Sequence, residues 1–198
     1  MIDPRSTHTL IRFDLPFNTL LHDVDRLRPL ACTACRRPRG LRGALGLHGH
    51  GIRRRQQRGP TRVDQGPTIL EVPVRRYICT ACHAITTVTP PMLPRKLYSA
   101  FAIAWALALY GLLALPPPHV RTRVSPWSIW GTTTQTWRSL TRWAREGHIL
   151  FGTPWPGDDA STRHRAHRTA MALSARAGPQ PTGTARDHLA AIGGMRAP

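Results

Sequence analysis

Apolar residues recur at two periods along this chain, and the change from one to the other marks its segments. Between Pro16 and Pro29, the residues Phe17, Leu20, Leu21, Val24 and Leu27 fall at helical spacing and predict a short amphipathic helix. Residues 1–15 show little pattern. Thr68 to Ile78 is a β-prone run in which Pro73 predicts an edge strand or a bulge. Ile85–Thr89 predicts a further strand, and Pro90, Pro91 and Pro94 end that unit. Leu97–Leu115 then carries no charged residue and stops at Pro116, Pro117 and Pro118.

A second helix is predicted from about Thr133 to Glu146, with Gly147 as its C-terminal cap. Trp137, Leu140 and Ala144 form its apolar stripe, with Thr133 and Trp143 beside it. Gln135, Arg138, Arg142 and Arg145 fall on the opposing face. From Gly152 the chain is rich in Gly, Pro, Ser, Thr, Arg and Ala with few large apolar residues, which predicts disorder to the end.

The reading is a small α+β fold. An N-terminal segment (1–28) precedes a cysteine-bearing unit of short antiparallel strands (29–96). A helical region with room for a helix-turn-helix follows (97–150), then a disordered basic tail (151–198).

Charge narrows the partners. The chain has 198 residues, with 28 Lys and Arg against 10 Asp and Glu, a formal net charge of +18. Lys96 is its one lysine. Such a field favours polyanions, because neutralising phosphates releases condensed counterions. Nucleic acid leads and an anionic membrane surface follows; arginine-rich coding bias is the alternative that implies no partner. Asp3 and Asp14 and the lack of an apolar stretch after a basic start argue against a secretory signal. A reducing, cytoplasmic setting is therefore expected, where disulfides rarely persist.

Against that background the four cysteines stand out as two Cys-x-x-Cys pairs, Cys32/Cys35 and Cys79/Cys82. A Cys-x-x-Cys turn presents two thiolates from one tight loop, so two turns complete a tetrahedral shell for one structural zinc ion. Four thiolates leave no open position for catalysis. A thioredoxin-like site would need a βαβ context that is not visible. The interval 36–78 exceeds the usual ribbon spacing, so it must form a long hairpin or loop with much of its charge in solvent. His48, His50 and His83 lie in the same region and are read as surface or supporting residues rather than ligands. His164 and His167 have metal-capable spacing but no third ligand near in sequence.

The second knuckle and its approach, Glu71-Val72-Pro73-Val74-Arg75-Arg76-Tyr77-Ile78-Cys79-Thr80-Ala81-Cys82, resemble the N-terminal zinc-ribbon regions of bacterial insertion-sequence transposases and related uncharacterised proteins. So do Leu93-Pro94-Arg95-Lys96-Leu97-Tyr98-Ser99 and the basic stretch His48-Gly49-His50-Gly51-Ile52-Arg53-Arg54-Arg55. The resemblance covers roughly residues 30–145. It implies binding to insertion-sequence DNA, a helix-turn-helix after the ribbon, and a transposase or other mobile-element protein as a second partner.

The expected DNA contacts are Arg53, Arg54, Arg55, Arg58, Arg75 and Arg76 on phosphates, and Gln135, Arg138, Arg142 and Arg145 on a recognition helix. A complete transposase joins DNA through three carboxylates holding two metal ions in a separate domain. Asp158, Asp159 and Asp187 are the only acidic residues beyond Glu146, so no enzymatic activity is expected. The chain reads as a stand-alone module or a truncated remnant. Its rivals are an RNA-binding ribbon, and a membrane-anchored protein with a cytosolic zinc module in which Leu97–Leu115 spans the bilayer.

Overall fold

The computed structural model describes residues 9–12, 23–41, 44–89, 97–127 and 137–196. The chain forms two compact units, one of Met1–Gln56 with Leu70–Arg95, the other of Gln57–Ile69 with Lys96–Pro198. The boundary therefore interrupts the expected 29–96 ribbon: residues 57–69, its hairpin turn, belong with the helices.

The first unit is built on a four-stranded sheet of order β1-β6-β5-β4, with β1 at Thr9–Arg12, β4 at Leu47–Arg58, β5 at Ile69–Cys79 and β6 at Ile85–Thr89. A two-stranded ladder, β2 (Gly40–Leu41) with β3 (Ala44–Leu45), precedes it. Strand β6 runs antiparallel to β5 from Ile78↔Ile85 to Arg75↔Val88. Pro73 lies past that register, so among the described residues it has no partner on β6. A proline without an N–H is tolerated there, so the edge-strand expectation holds locally although β5 as a whole is an inner strand.

Strand β1, which the sequence pattern did not announce, pairs in parallel with β6 from Thr9↔Thr86 to Arg12↔Thr89. Most of the expected helix at 17–27 lies outside the described residues; Val24–Leu27 form a turn whose Leu27 is buried.

The second unit holds five helices among the described residues, α1 (Ala100–Gly111), α2 (Pro117–Val124), α3 (Arg138–Phe151), α4 (Thr162–Arg176) and α5 (Arg186–Met195). Ser99 starts α1, accepting the Ala102 N–H at 2.9 Å while its hydroxyl donates to the Pro60 carbonyl. The Arg58 N–H reaches the Leu97 carbonyl at 2.8 Å and the Ser99 N–H reaches the Arg58 carbonyl at 3.0 Å. These bonds tie the hairpin turn to the head of α1. Ala114 in the left-handed region and the three prolines then break the chain into α2.

Helix α1 is apolar all round because it is buried all round, with α2, α3, α4 and α5 packed on it. It occupies only the middle of Leu97–Leu115, and among the described residues no helix is long and apolar enough to cross a membrane.

The expected disordered tail is corrected: 162–176 and 186–195 are helices docked on α1 and on each other. Their buried residues are mostly small, Ala166, Thr169, Ala170 and Leu173 on α4, and Ala190, Ala191, Gly193 and Gly194 on α5. A Cβ on Gly194 would collide with the Ala104 side chain, and one on Gly111 would lie 2.7 Å from the Ala166 carbonyl carbon. The helices thus gain contact by bringing backbones together rather than by inserting large side chains, the feature a count of large apolar residues cannot register.

Helix α3 also differs from expectation. It runs one turn further, to Phe151, and its cap is Gly152 with φ 56°. Gly147 is a buried interior residue: a Cβ there would sit 2.9 Å from Thr169 Oγ1. Thr133–Thr136, including Gln135, lie outside the described residues.

Candidate metal centre and basic surfaces

Two tight turns build the cysteine site, and they close in the same way. In the first, the Arg36 N–H donates to the Cys32 carbonyl at 2.9 Å and the Cys32 N–H to the Arg37 carbonyl at 2.7 Å. In the second, the His83 N–H donates to the Cys79 carbonyl and the Cys79 N–H to the Ala84 carbonyl, each at 3.0 Å. The residue after the second cysteine of each pair is left-handed, Arg36 with φ 62° and His83 with φ 56°. Neither is glycine, so each turn holds a conformation that costs about 1–2 kcal/mol for an L-residue. His83 is thereby committed to the turn with its side chain exposed, and His48 and His50 are exposed on β4.

The two turns meet at their sulfurs. Cys32 Sγ lies 3.6 Å from Cys82 Sγ and Cys35 Sγ 3.7 Å from Cys79 Sγ. All four ligand atoms fall within 4.8 Å of one another. These are contacts between free thiols, far longer than the ~2.05 Å of a disulfide. Cys32 and Cys79 are fully buried, Cys82 is half-buried and Cys35 is exposed. The arrangement is able to hold one metal ion, with one side facing solvent.

Burial works to raise the Cys79 thiol, yet the N–H groups of Cys82 and Ala81 and the thiols of Cys35 and Cys82 together bring it to about 7. Burial pushes Cys82 up to about 12. The Ala84 N–H opposes that rise, and the thiols of Cys35, Cys32 and Cys79 add to it.

Residues that sequence reasoning did not single out fix this geometry. Thr33 Oγ1 meets Thr86 Oγ1 at 3.1 Å and joins the first turn to β6. Thr80 donates its N–H to the Gly46 carbonyl at 3.0 Å and ties the second turn to the start of β4. Leu27, Leu47, Tyr77, Ala84 and Val88 pack with Cys32 and Cys79 into one buried cluster. The Tyr77 hydroxyl donates to the Val24 carbonyl at 2.7 Å. Two prospective ligands are thus core residues, so the site and the small core stand together.

The expected basic contacts that the structure describes lie on β4, β5 and α3. Arg53 and Arg54 are exposed on β4, and Arg54 pairs with Glu71 at 3.0 Å. Arg55 is half-buried; burial foremost, then the charge of Arg53, lowers its pKa. Arg58, Arg75 and Arg76 are half-buried. On α3, Arg138, Arg142 and Arg145 are exposed, while Leu140, Trp143, Ala144, Gly147 and Phe151 are buried. The two-faced character expected of that helix is present. Its buried side belongs to a cluster in which Tyr98, Trp137 and Trp143 meet edge-to-face at 4.9, 5.0 and 6.1 Å.

Between the end of α2 at Val124 and the start of α3 at Arg138, residues 128–136 lie outside the described residues, and with them the connection expected of a helix-turn-helix. Asp158 and Asp159 are exposed in the loop after α3, and His164 and His167 stack at 6.3 Å on α4. Comparison with protein-family models, with curated proteins and with solved structures finds no match for this chain.

Proposed function

We propose that this protein is a zinc-stabilised DNA-binding module without a catalytic domain, of the kind that accompanies insertion-sequence transposases. The sulfur geometry carries the reading. Four thiolates at ~2.3 Å from a tetrahedral zinc are ~3.8 Å apart; here two sulfur pairs lie at 3.6 and 3.7 Å and all four sulfurs within 4.8 Å of one another. A closed shell of four cysteines makes the ion a scaffold that holds the two turns and the strands between them.

The net charge of +18 supplies the preference for a polyanion. The exposed arginine face of α3, opposite an apolar docked face, is the arrangement a recognition helix needs. Arg53, Arg54, Arg55, Arg58, Arg75 and Arg76 serve as phosphate contacts in this reading. A ribbon that binds RNA by base stacking needs an exposed aromatic, and Tyr77, which lies on β5, is fully buried. DNA is therefore preferred, with a mobile-element protein as the second partner.

Metal analysis of purified protein tests the first half, with one zinc per chain expected and Cys79→Ser losing it. Folded, metal-free wild-type protein would sink the zinc assignment. Duplex titration at several salt concentrations tests the second half; affinity should fall steeply as salt rises, and a flat dependence would refute phosphate contacts.

A further inference from the structure

The outer stripe of α3 does not end at Arg145. His148 and Ile149 continue it at three- and four-residue steps, and there it meets a hollow of about 590 Å³. The opposite wall comes from the loop after α3 and the start of α4, with Trp155 and Arg165. Arg165 is held in place: it donates to the Ala160 carbonyl at 2.9 Å and to the Asp158 carbonyl at 2.6 Å, and its guanidinium lies 4.9 Å over the Trp155 ring. His148 packs edge-to-face on that ring at 4.3 Å.

Ile149 is 74% exposed and Trp155 46% exposed, so apolar surface remains open beside the two guanidinium groups. Among the described residues no carboxylate lines the hollow, although Asp158 and Asp159 sit in the same loop.

Two fixed or exposed cations, an imidazole and an open apolar wall fit an anion that carries an apolar body. Inorganic phosphate would leave the Trp155–Ile149 side unused, and a purely apolar ligand would bring no negative charge to the two guanidinium groups. A nucleotide unit within a strand fits both: its phosphate between Arg145 and Arg165, its sugar and base edge along Trp155 and Ile149. A second hollow, lined by Arg138, Ser139, Thr141, Arg142, Arg145 and Glu146, shares Arg145 with the first. The two form consecutive stations along one helix face, which favours a polymer over a free nucleotide.

We propose that the hollow between the end of α3 and the start of α4 seats one nucleotide of the DNA strand that α3 contacts. Trp155, Ile149 and Arg165 are thereby added to the binding surface. The inference rests on the DNA-binding reading above.

The test uses the full-length zinc-loaded chain and a labelled duplex, followed by anisotropy at several salt concentrations. Trp155→Leu and Ile149→Ser should each weaken binding roughly five- to tenfold with the salt slope unchanged, because neither removes a charge. Arg145→Gln should weaken binding and lower the slope by about 0.9, the loss of one phosphate contact. Arg186→Gln, at an exposed site on α5, removes the same charge outside the hollow and should change the slope far less.

If wild-type protein binds but both apolar substitutions leave affinity intact, the hollow is not a contact and the proposal is overturned while the DNA-binding reading stands. If Arg145→Gln matches Arg186→Gln in affinity and slope, the phosphate seat is refuted. Wild-type protein that binds no duplex overturns both readings. Should Trp155→Leu fail to fold, Ile149→Ser, at a largely exposed side chain, carries the apolar test alone.

Discussion

Replacing Gly193 with alanine should destabilise the protein, against the usual sign for a helix interior. Alanine is favoured over glycine in a helix by about 1 kcal/mol, so propensity alone predicts a gain. Packing predicts the opposite. A Cβ on Gly193 would fall well inside contact distance of the Leu173 carbonyl oxygen, 2.7 Å from its carbon, and 3.3 Å from the Ala177 nitrogen. Both obstacles are backbone, of α4 and of the Ala177 that caps it, and cannot swing aside like a side chain.

Overpacking a tight interface costs about 1–3 kcal/mol, and a backbone obstacle belongs at the upper end. After subtracting the propensity gain, a net loss of about 2 kcal/mol is expected. For a folding unit of this size that lowers the melting temperature by several degrees, about 2–4 °C per kcal/mol for 150–250 residues and more for smaller units. Thermal and urea melts followed by helical circular dichroism would read it. Gly66→Ala, where a Cβ meets nothing within 4 Å, is the control and should stay within about 0.5 kcal/mol of wild type. A neutral or stabilising Gly193→Ala would refute the close docking of α5 on α4.

The docking of α5 on α1 is open to a second probe. Asp187, buried at the start of α5, accepts the Trp105 indole N–H from α1 at 2.8 Å. Asp187→Ala should cost about 1–2 kcal/mol and shift tryptophan emission, because it leaves a half-buried donor unpaired; unchanged stability and emission would remove this link. Chelation offers a third. Stripping metal should abolish the protection of β5 and β6 amides in hydrogen exchange while leaving α1 and α4 amides protected, since two of the proposed ligands, Cys32 and Cys79, belong to the small cluster around Tyr77. Retained protection of β5 and β6 would show that the strands stand without metal.

The parts of this fold that could be read from sequence are those encoded over a few residues. Cys-x-x-Cys spacing specifies a turn, and the β-branched run Ile85–Thr89 specifies a strand because branched side chains suit a pleated surface. The period of α3 separates Leu140 and Trp143 from Arg138 and Arg142 because one face must be buried. What escaped depends on distant partners. Strand β1 exists through a parallel neighbour far along the chain. Gly147 looked like a stop signal and is instead a residue stripped of its side chain to admit Thr169. The C-terminal helices look disordered by composition because their contacts are made by Ala and Gly, which carry little hydrophobic signal even when fully buried. Within the site, the shared left-handed residues at Arg36 and His83 were invisible, because neither is the glycine that normally announces such a turn.

The hairpin turn at residues 57–69 has a consequence for the order of events during synthesis. Its partners on Leu97, Ser99 and Ala102 leave the ribosome later than the turn itself. The first unit has all of its chain by residue 95, while the helical unit must recruit this earlier segment and then wait for α5. Until α5 emerges, the part of α1 that it covers stays bare, an interval in which contacts of high sequence separation are still unmade. Vectorial folding would thus complete the cysteine-bearing half first and leave the helical half as the vulnerable late step.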